Sequence, residues 1–204
     1  ACEGTSVDPD IAIAIAYAES SLRHDATNPG SSATGYFQFV FNTFKEYVYK
    51  HARDLGYPEI ADKVKLDKTR LDNGKYNFHY KLADRVSKQD FMQHAKDGYL
   101  NAALGCRKIA SNAEALKNNG LRPTPTNLYA MHFLGRSGGM GFLMTYYKHP
   151  ETHGHRAVDY VGVGQVRRNK NIFYHDDDRA RSVAQIIGLF RQKMNEYRQA
   201  AELH

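Results

Sequence analysis

The sequence predicts a mostly α-helical fold. Apolar side chains recur at helical spacing along most of the 204 residues, and the clearest stripe comprises Val183, Ile186, Ile187, Phe190, Met194 and Tyr197. Period-two alternation, which is typical of half-buried strands, never extends beyond a few residues. The chain contains no internal repeat and no low-complexity segment. We therefore expect residues 1–204 to form one compact domain with only a small β element.

Capping residues set the bounds of the predicted helices. Asp8 is a suitable N-cap, and Pro9 a suitable first residue, for a helix that extends to about Leu22. Ser182 has capping-box spacing to Gln185, so it starts the last helix. The other helices are predicted over residues 41–55, 87–117, 126–134 and 140–147.

Residues 57–86 are charged and only weakly periodic, and they contain an Asn73-Gly74 turn. We interpret this segment as an insertion built from short helices, with a small hairpin as the alternative. Its role is open, because substrate gating, a partner contact and an immunity-protein contact all fit.

The chain has a formal net charge of +6 and a pI near 9.2, which favours a polyanionic partner. Nucleic acid, an anionic membrane and a cell-wall polymer all qualify. The densest basic cluster is short and lacks the interleaved aromatic residues of a nucleic-acid platform; it comprises Arg167, Arg168 and Lys170. We therefore expect no nucleic-acid partner. We also expect no membrane insertion, because no run of about 18 apolar residues occurs.

Cys2 and Cys106 are the only cysteines. Two cysteines do not suffice for a disulfide framework or for a four-ligand zinc site. The pattern leaves open whether they form one bridge or remain free thiols. The N-terminal residues have neither the basic nor the apolar segment of a secretory signal peptide. We expect the chain to be a fragment of a larger protein.

A candidate catalytic acid stands near the end of the first predicted helix. Glu19 follows an apolar helix and precedes Ser20, whose hydroxyl can bind nearby backbone or a substrate. A carboxyl group on an apolar base is partly desolvated, which favours the protonated form that a glycosidase acid requires. Taken alone, however, Glu19 is better interpreted as a solvated residue at a helix end.

A second motif follows sixteen residues later, at residues 35–39 (Gly-Tyr-Phe-Gln-Phe). On strand geometry, Gln38 points into a cleft while Phe37 and Phe39 pack behind it. The glutamine amide offers a donor and an acceptor for the N-acetyl and hydroxyl groups of an amino sugar. The alternative is an edge hairpin of the core with a solvated glutamine.

Together, the two motifs resemble the catalytic segment of the soluble lytic transglycosylases. That segment has a Glu-Ser pair, then a Gly-x-x-Gln motif, then a helix entered through a threonine, here Thr43. A third motif, at residues 129–135 (Tyr-Ala-Met-His-Phe-Leu-Gly), is similar to the form found in phage-encoded muralytic transglycosylases. The resemblance covers residues 8–56 and roughly 87–195, and it leaves residues 57–86 unmatched.

The resemblance implies a lysozyme-like α+β fold with a small β element next to the catalytic helix. It also implies a cleft for alternating N-acetylmuramic acid and N-acetylglucosamine, with no metal and no cofactor. Glu19 is the implied catalytic acid. We expect substrate contacts from Ser20, Tyr36, Phe37, Gln38, Tyr129, His132, Tyr160 and Tyr174.

The third motif departs from the family pattern, because the usual Tyr-Asn pair is here Met131-His132. Tyr129 lies one helical turn before His132 and is the candidate for the missing hydroxyl. His132 either binds a sugar, tunes Glu19 or is a core histidine. Tyr160 and Tyr174 are alternative candidates for a late tyrosine that holds the substrate.

Two reaction types are open for such a site. A hydrolase needs a second carboxylate, whereas a lytic transglycosylase lets the muramoyl 6-hydroxyl attack intramolecularly. The first carboxylate after Glu19 is Asp25, which we expect to cap the polar turn, and no other occurs before Glu46. We therefore predict cleavage of the MurNAc-β-1,4-GlcNAc bond with 1,6-anhydro products. A lysozyme-type muramidase is the alternative, and a non-catalytic wall-binding module is less favoured.

Peptidoglycan glycan strands are the predicted partner, and the periplasm or the cell wall is the expected place of action. A secretion apparatus, a phage tail and an immunity protein remain open as further partners. The chain would then be a secreted or injected antibacterial effector, or a virion-associated phage endolysin.

Overall fold

The computed structural model describes residues 1–201. Its contacts divide the chain into two compact units, Ala1–Lys108 and Ile109–His204. The predicted fold class is confirmed, because helices dominate the described residues and β1 and β2 form a small antiparallel sheet. The prediction that residues 1–204 form one catalytic domain stays a prediction.

The first unit begins with α1 (Pro9–Ser20), which starts as the sequence predicts. The Asp8 side chain accepts a hydrogen bond from the backbone N–H of Asp10, and Pro9 occupies the first turn. The helices that follow are α2 (Phe41–Tyr47), α3 (Pro58–Ala61), α4 (Lys88–Gln93) and the first part of α5 (Gly98–Asn118). Because α5 extends past residue 108, it begins in the first unit and ends in the second.

Two long helices predicted for the first unit are irregular in the structure. The helix expected over residues 41–55 continues after Tyr47 as a π-helical turn, Val48–Ala52. The helix expected over residues 87–117 is interrupted by an extended backbone at Asp97, between a 3₁₀ turn at His94–Lys96 and α5. The Asp97 carboxylate accepts a hydrogen bond from the Leu100 N–H at 2.8 Å. A local cap of this kind competes with a continuous helix.

Residues 57–86 form mainly a β-hairpin, so the expectation of a helical insertion is wrong. Strand β1 (Val64–Arg70) pairs antiparallel with β2 (Tyr76–Leu82), and only the four residues of α3 are helical. The Asn73-Gly74 turn is confirmed, with Gly74 at φ +78°. This segment forms strands because large apolar side chains recur at every second residue of β2; they are Tyr76, Phe78, Tyr80 and Leu82.

Among its described residues, the second unit contains the end of α5 and five further α-helices. These are α6 (Pro125–Phe133), α7 (Arg136–Lys148), α8 (Val163–Arg168), α9 (Lys170–Phe173) and α10 (Val183–Ala201). The predicted capping box is confirmed, since Ser182 and Gln185 exchange side-chain and backbone hydrogen bonds. Helix α7 starts earlier than the predicted Met140 and includes the glycine-rich residues. A Cβ on Gly139 would lie 2.7 Å from Met131 Cα, so this glycine lets α6 and α7 pack closely.

Each unit has its own aromatic and aliphatic core. In the first unit, the Phe44 ring lies 5.3 Å from Phe91 and 5.9 Å from Phe39, and all three side chains are buried. In the second unit, the Phe190 ring of α10 packs 5.3 Å from both Tyr129 and Phe133 of α6. Burial of these side chains removes large apolar surfaces from water and holds the helices in place.

A disulfide joins Cys2 to Cys106, which settles the question that the sequence left open. Their Cα atoms lie 5.1 Å apart, and the bridge ties the N-terminal segment to α5 within the first unit. A crosslink across 104 residues stabilises the folded state by restricting the unfolded chain. Among residues 1–201, no helix is both long and apolar enough to cross a membrane.

Candidate active site

Glu19 lies in the last turn of α1, at a sharp change of chain direction. Ser21 and Leu22, which follow the helix, have φ values of +53° and +57°. The Glu19 side chain is half-buried, on a helix whose Ile15 is fully buried. Ser20 turns inward, and its hydroxyl donates a hydrogen bond to the Ala16 carbonyl at 3.1 Å. The end of α1 therefore holds Glu19 on a rigid, largely apolar base.

Residues 35–39 form a tight turn, so the expected strand geometry is wrong. The turn is closed by an isolated bridge between Thr34 and Phe39, and Gln38 has φ +45°. The Gln38 amide nitrogen donates hydrogen bonds to the carbonyls of Gly35 at 3.0 Å and Ala26 at 3.2 Å. The amide that we expected to face the substrate thus also links the turn to the segment after α1.

Asn101 of α5 holds this turn in place, and no pattern in the sequence singles this residue out. Its side chain is fully buried and accepts a hydrogen bond from the Phe37 N–H at 3.1 Å. Its amide nitrogen donates to the carbonyls of Ala95 and Thr34 at 2.7 and 3.3 Å. Every polar atom of this buried amide is paired, which makes the turn well defined.

Tyr36 and Phe37 lie against glycines of α5. A Cβ on Gly105 would lie 2.3 Å from the Phe37 ring, so the ring packs directly on the helix backbone. Gly98 lies beside Tyr36 at ordinary contact distance, with 3.5 Å from a Cβ built on it to the ring, and the Tyr36 ring also meets His24 edge-on at 6.2 Å. Phe37 is buried, whereas Tyr36 keeps a partly exposed surface.

A groove of about 700 Å³ runs along α1 in the first unit. Its walls are mostly apolar and include Ile13, Ala16, Leu22, Tyr36, Phe37 and Cys106. Ala16 precedes Glu19 by three residues, so the two side chains share a helix face. The groove is therefore lined by residues within one helical turn of the candidate acid, although Glu19 itself is not one of its lining residues.

Lys108 is a charged neighbour of Glu19 that the sequence reasoning missed. Burial lowers the pKa of Lys108 to about 8, and attraction by the Glu19 carboxylate opposes that shift. The Lys108 ammonium also lies 5.8 Å from the centroid of the Phe39 ring. By the same attraction, a protonated Lys108 favours the ionised form of Glu19. The acid is thus placed between an apolar helix and a cation.

Tyr129 and His132 lie in α6 of the second unit, one turn apart. Both are buried, Tyr129 almost completely. The Tyr129 ring packs between Phe133 and Phe190, and Lys193 lies 5.9 Å from its centroid. These contacts place the tyrosine ring in the core between α6 and α10.

Tyr160 and Tyr174 occupy different parts of the second unit. Tyr160 ends a 3₁₀ turn (Ala157–Tyr160), and its hydroxyl shares a 2.7 Å hydrogen bond with His155 Nδ1. Tyr174 follows α9, where its backbone forms a bridge with Ala180 and its carbonyl accepts a hydrogen bond from Arg181. Both side chains are half-buried, so each keeps a surface that a ligand can reach.

Residues 1–64 match the family model of the Transglycosylase SLT domain. The matched segment includes α1 with Glu19, the turn at residues 35–39 and α2, and it ends where β1 begins. The match supports a place for this protein among the lytic transglycosylases of the lysozyme-like superfamily. It likewise supports a peptidoglycan lytic transglycosylase type of activity, with action at the cell wall or in the periplasm.

Proposed function

We propose that this protein is a lytic transglycosylase that cleaves the MurNAc-β-1,4-GlcNAc bond of peptidoglycan and forms 1,6-anhydro products. The observation that carries the proposal is the match of residues 1–64, which contain Glu19 and the turn at residues 35–39. The groove along α1 is lined by Ala16 and Leu22, which flank Glu19 in the sequence, and this supports an extended substrate near the acid.

In the first step of the proposed reaction, Glu19 donates its proton to the glycosidic oxygen. The C1–O bond of the muramoyl residue breaks, and positive charge develops at C1 and the ring oxygen. Lys108 favours this transfer, because its ammonium stabilises the carboxylate that Glu19 becomes. Lys108 is therefore a positioning residue that acts through Glu19.

In the second step, the Glu19 carboxylate takes the proton from the 6-hydroxyl of the same muramoyl residue. The hydroxyl oxygen bonds to C1 and closes the 1,6-anhydro ring, and Glu19 regains its proton. The attacking group is part of the substrate, so proximity replaces the activation of a water molecule. One carboxyl group serves as acid and then as base, as we expected from the spacing of carboxylates after Glu19.

We propose substrate-binding roles for the remaining predicted residues. Tyr36 lines the groove with a partly exposed ring, which supports a contact to an apolar sugar face, whereas Phe37 is buried and supports the groove from behind. Ser20 and Gln38 hold the backbone around Glu19, which supports a role in shaping the site. Roles for Tyr129, His132, Tyr160 and Tyr174 rest on the family resemblance.

The Cys2–Cys106 disulfide supports action outside the reducing cytoplasm, because such bonds persist mainly in oxidising compartments. The motif at residues 129–135 supports the narrower proposal of a phage-type muralytic enzyme. Delivery by a virion or as an antibacterial effector follows from that proposal.

A digest of purified peptidoglycan separates the two reaction types. We expect the full chain to release soluble fragments without a matching rise in reducing ends, because ring closure consumes the anomeric carbon. A rise in reducing ends equal to the number of bonds cut would instead assign the lysozyme-type hydrolase. Release of no fragments would remove the enzymatic function.

Lys108→Met is expected to shift the alkaline limb of the pH–activity profile to higher pH, because the ammonium that attracts the Glu19 carboxylate is removed. Without the ammonium, Glu19 holds its proton to higher pH, and it is also a weaker acid, so the maximal rate falls. The measurement is the initial rate of fragment release at a series of pH values.

Lys108→Arg keeps the positive charge and should leave the alkaline limb of the pH–activity profile near its wild-type position. Lys117→Met, on an exposed part of α5, serves as the control for loss of one charge. An unmoved alkaline limb in Lys108→Met would contradict the role of Lys108.

A further inference from the structure

The β-hairpin formed by β1 and β2 has two chemically different faces. The register pairs Lys68 with Phe78 and Arg70 with Tyr76, so these four side chains project from the same face. Leu66 and Tyr80 continue this face toward the base of the hairpin. We call it the aromatic face.

The aromatic face is anchored at its base and open along its outer part. Val64 is buried, and the Tyr80 ring packs 5.2 Å from Tyr49. Farther out, Leu66, Tyr76 and Phe78 are 43%, 48% and 58% exposed. Three large apolar side chains in a row on one strand pair are more than an isolated exposed residue, and they indicate an interaction site.

Cations accompany the exposed rings. The Lys68 ammonium lies 3.7 Å from the centroid of Tyr76 and 6.0 Å from that of Phe78. The whole hairpin has two carboxylates, Asp67 and Asp72, against five cations, which are Lys65, Lys68, Arg70, Lys75 and Lys81. A partner that combines flat apolar faces with negative charge is complementary to this surface.

The opposite face of the hairpin is polar, and it carries one carboxylate, Asp67, against two cations, Lys65 and Lys81. Asp67 accepts a hydrogen bond from Lys81 at 3.3 Å, which lowers the pKa of the carboxyl group, and it also lies 3.3 Å from His79. Thr69 and Asn77 form the next pair toward the tip. The aromatic face therefore differs from the opposite face because its cations lie beside exposed apolar rings.

We propose that the aromatic face binds a glycan strand of peptidoglycan, with Tyr76 and Phe78 stacked on sugar rings and Lys68 and Arg70 paired with stem-peptide carboxylates. The proposal rests on the proposed function, because it assigns a second contact to the same polymer. The exposed part covers five register pairs, from Leu66–Tyr80 to Arg70–Tyr76. Its length of about 13 Å suits a chain that lies along the sheet.

The shape of the hairpin favours a polymer over a lipid surface. The rings project from the flat face, whereas the tip at residues 72–75 (Asp-Asn-Gly-Lys) is polar and poorly suited to enter an apolar layer. Residues 65–82 lie outside the segment that matches the family model. A second contact on the same strand raises the local concentration of substrate at the groove.

The test is co-sedimentation of the full chain with purified insoluble peptidoglycan, in a Glu19→Gln background that keeps the polymer intact. The aromatic variant combines Tyr76→Ala and Phe78→Ala, and we expect roughly tenfold weaker binding. The matched control combines Thr69→Ala and Asn77→Ala on the polar face and should bind normally. A further variant, Lys68→Gln with Arg70→Gln, keeps the rings and should also bind more weakly.

Each outcome decides the proposal, provided that the variants keep the thermal midpoint of the parent. Equal sedimentation of the aromatic, charge and control variants overturns it. The same variants are also sedimented with phosphatidylglycerol vesicles. If the aromatic variant loses binding to the vesicles but binds peptidoglycan as the parent does, the proposal is overturned in favour of a membrane contact. If the wild type releases no fragments but the aromatic variant binds peptidoglycan more weakly than its parent does, the proposed enzymatic function fails and the assignment of the hairpin stands.

Discussion

Replacing Glu19 by glutamine is expected to lower the rate of fragment release from peptidoglycan by at least about 100-fold. The amide has nearly the same shape as the carboxyl group, but it cannot donate a proton to the glycosidic oxygen or accept one from the 6-hydroxyl. Both proposed steps are lost together. The measurement is the release of soluble muropeptides per enzyme over time, compared with the wild type.

The controls distinguish loss of chemistry from loss of fold. Glu19→Gln should keep a folded structure by circular dichroism, because the side chain is only half-buried and the helix around it is unchanged. Glu114→Gln alters an exposed glutamate of α5 and should retain full activity. Wild-type rates in Glu19→Gln would remove this residue from the mechanism.

Gly35→Ala is expected to destabilise the first unit by about 3–5 kcal/mol. Gly35 has φ +80°, and a Cβ would lie 2.1 Å from Asn101 Nδ2 and 2.4 Å from the Ala95 carbonyl oxygen. One of these neighbours is backbone and the other is a fully buried, fully paired amide, so neither can move cheaply. The measurement is the free energy of unfolding from a denaturant titration.

Gly56→Ala is the matched control for backbone strain. Gly56 has φ +85°, but nothing lies within 4 Å of a Cβ built on it. We expect a cost of about 1–2 kcal/mol there, which reflects the left-handed conformation alone. Equal costs at the two positions would contradict the close packing of the turn against Asn101.

Local signals in the sequence predicted the helices that have clear caps. Asp8 with Pro9, and Ser182 with Gln185, set the starts of α1 and α10, because a cap depends on residues a few positions apart. The break at Asp97 was missed, since the helical pattern continues across it and only the Asp97 hydrogen bond to Leu100 reveals the interruption. The hairpin was only an alternative, because its apolar residues alternate on β2 while β1 is mostly charged.

In the candidate site, too, the features that depend on nearby residues were predicted, and those that depend on residues far along the chain were missed. Glu19 and the motif at residues 35–39 were found from their spacing, but the conformation of that motif depends on Asn101, far along the chain. Lys108 had one available signal, because it continues the spacing of Leu100 and Leu104 on α5, where an apolar residue is expected. Its closeness to Glu19 follows only from the packing of α5 near α1.

The most direct test of the proposed chemistry is mass spectrometry of the soluble fragments released from purified peptidoglycan by the wild-type chain. The account predicts fragments that end in 1,6-anhydro-muramic acid, each lighter by one water than the corresponding hydrolysis product, and none when Glu19→Gln replaces the wild type. Fragments that carry only hydrated, reducing muramic ends would contradict the account.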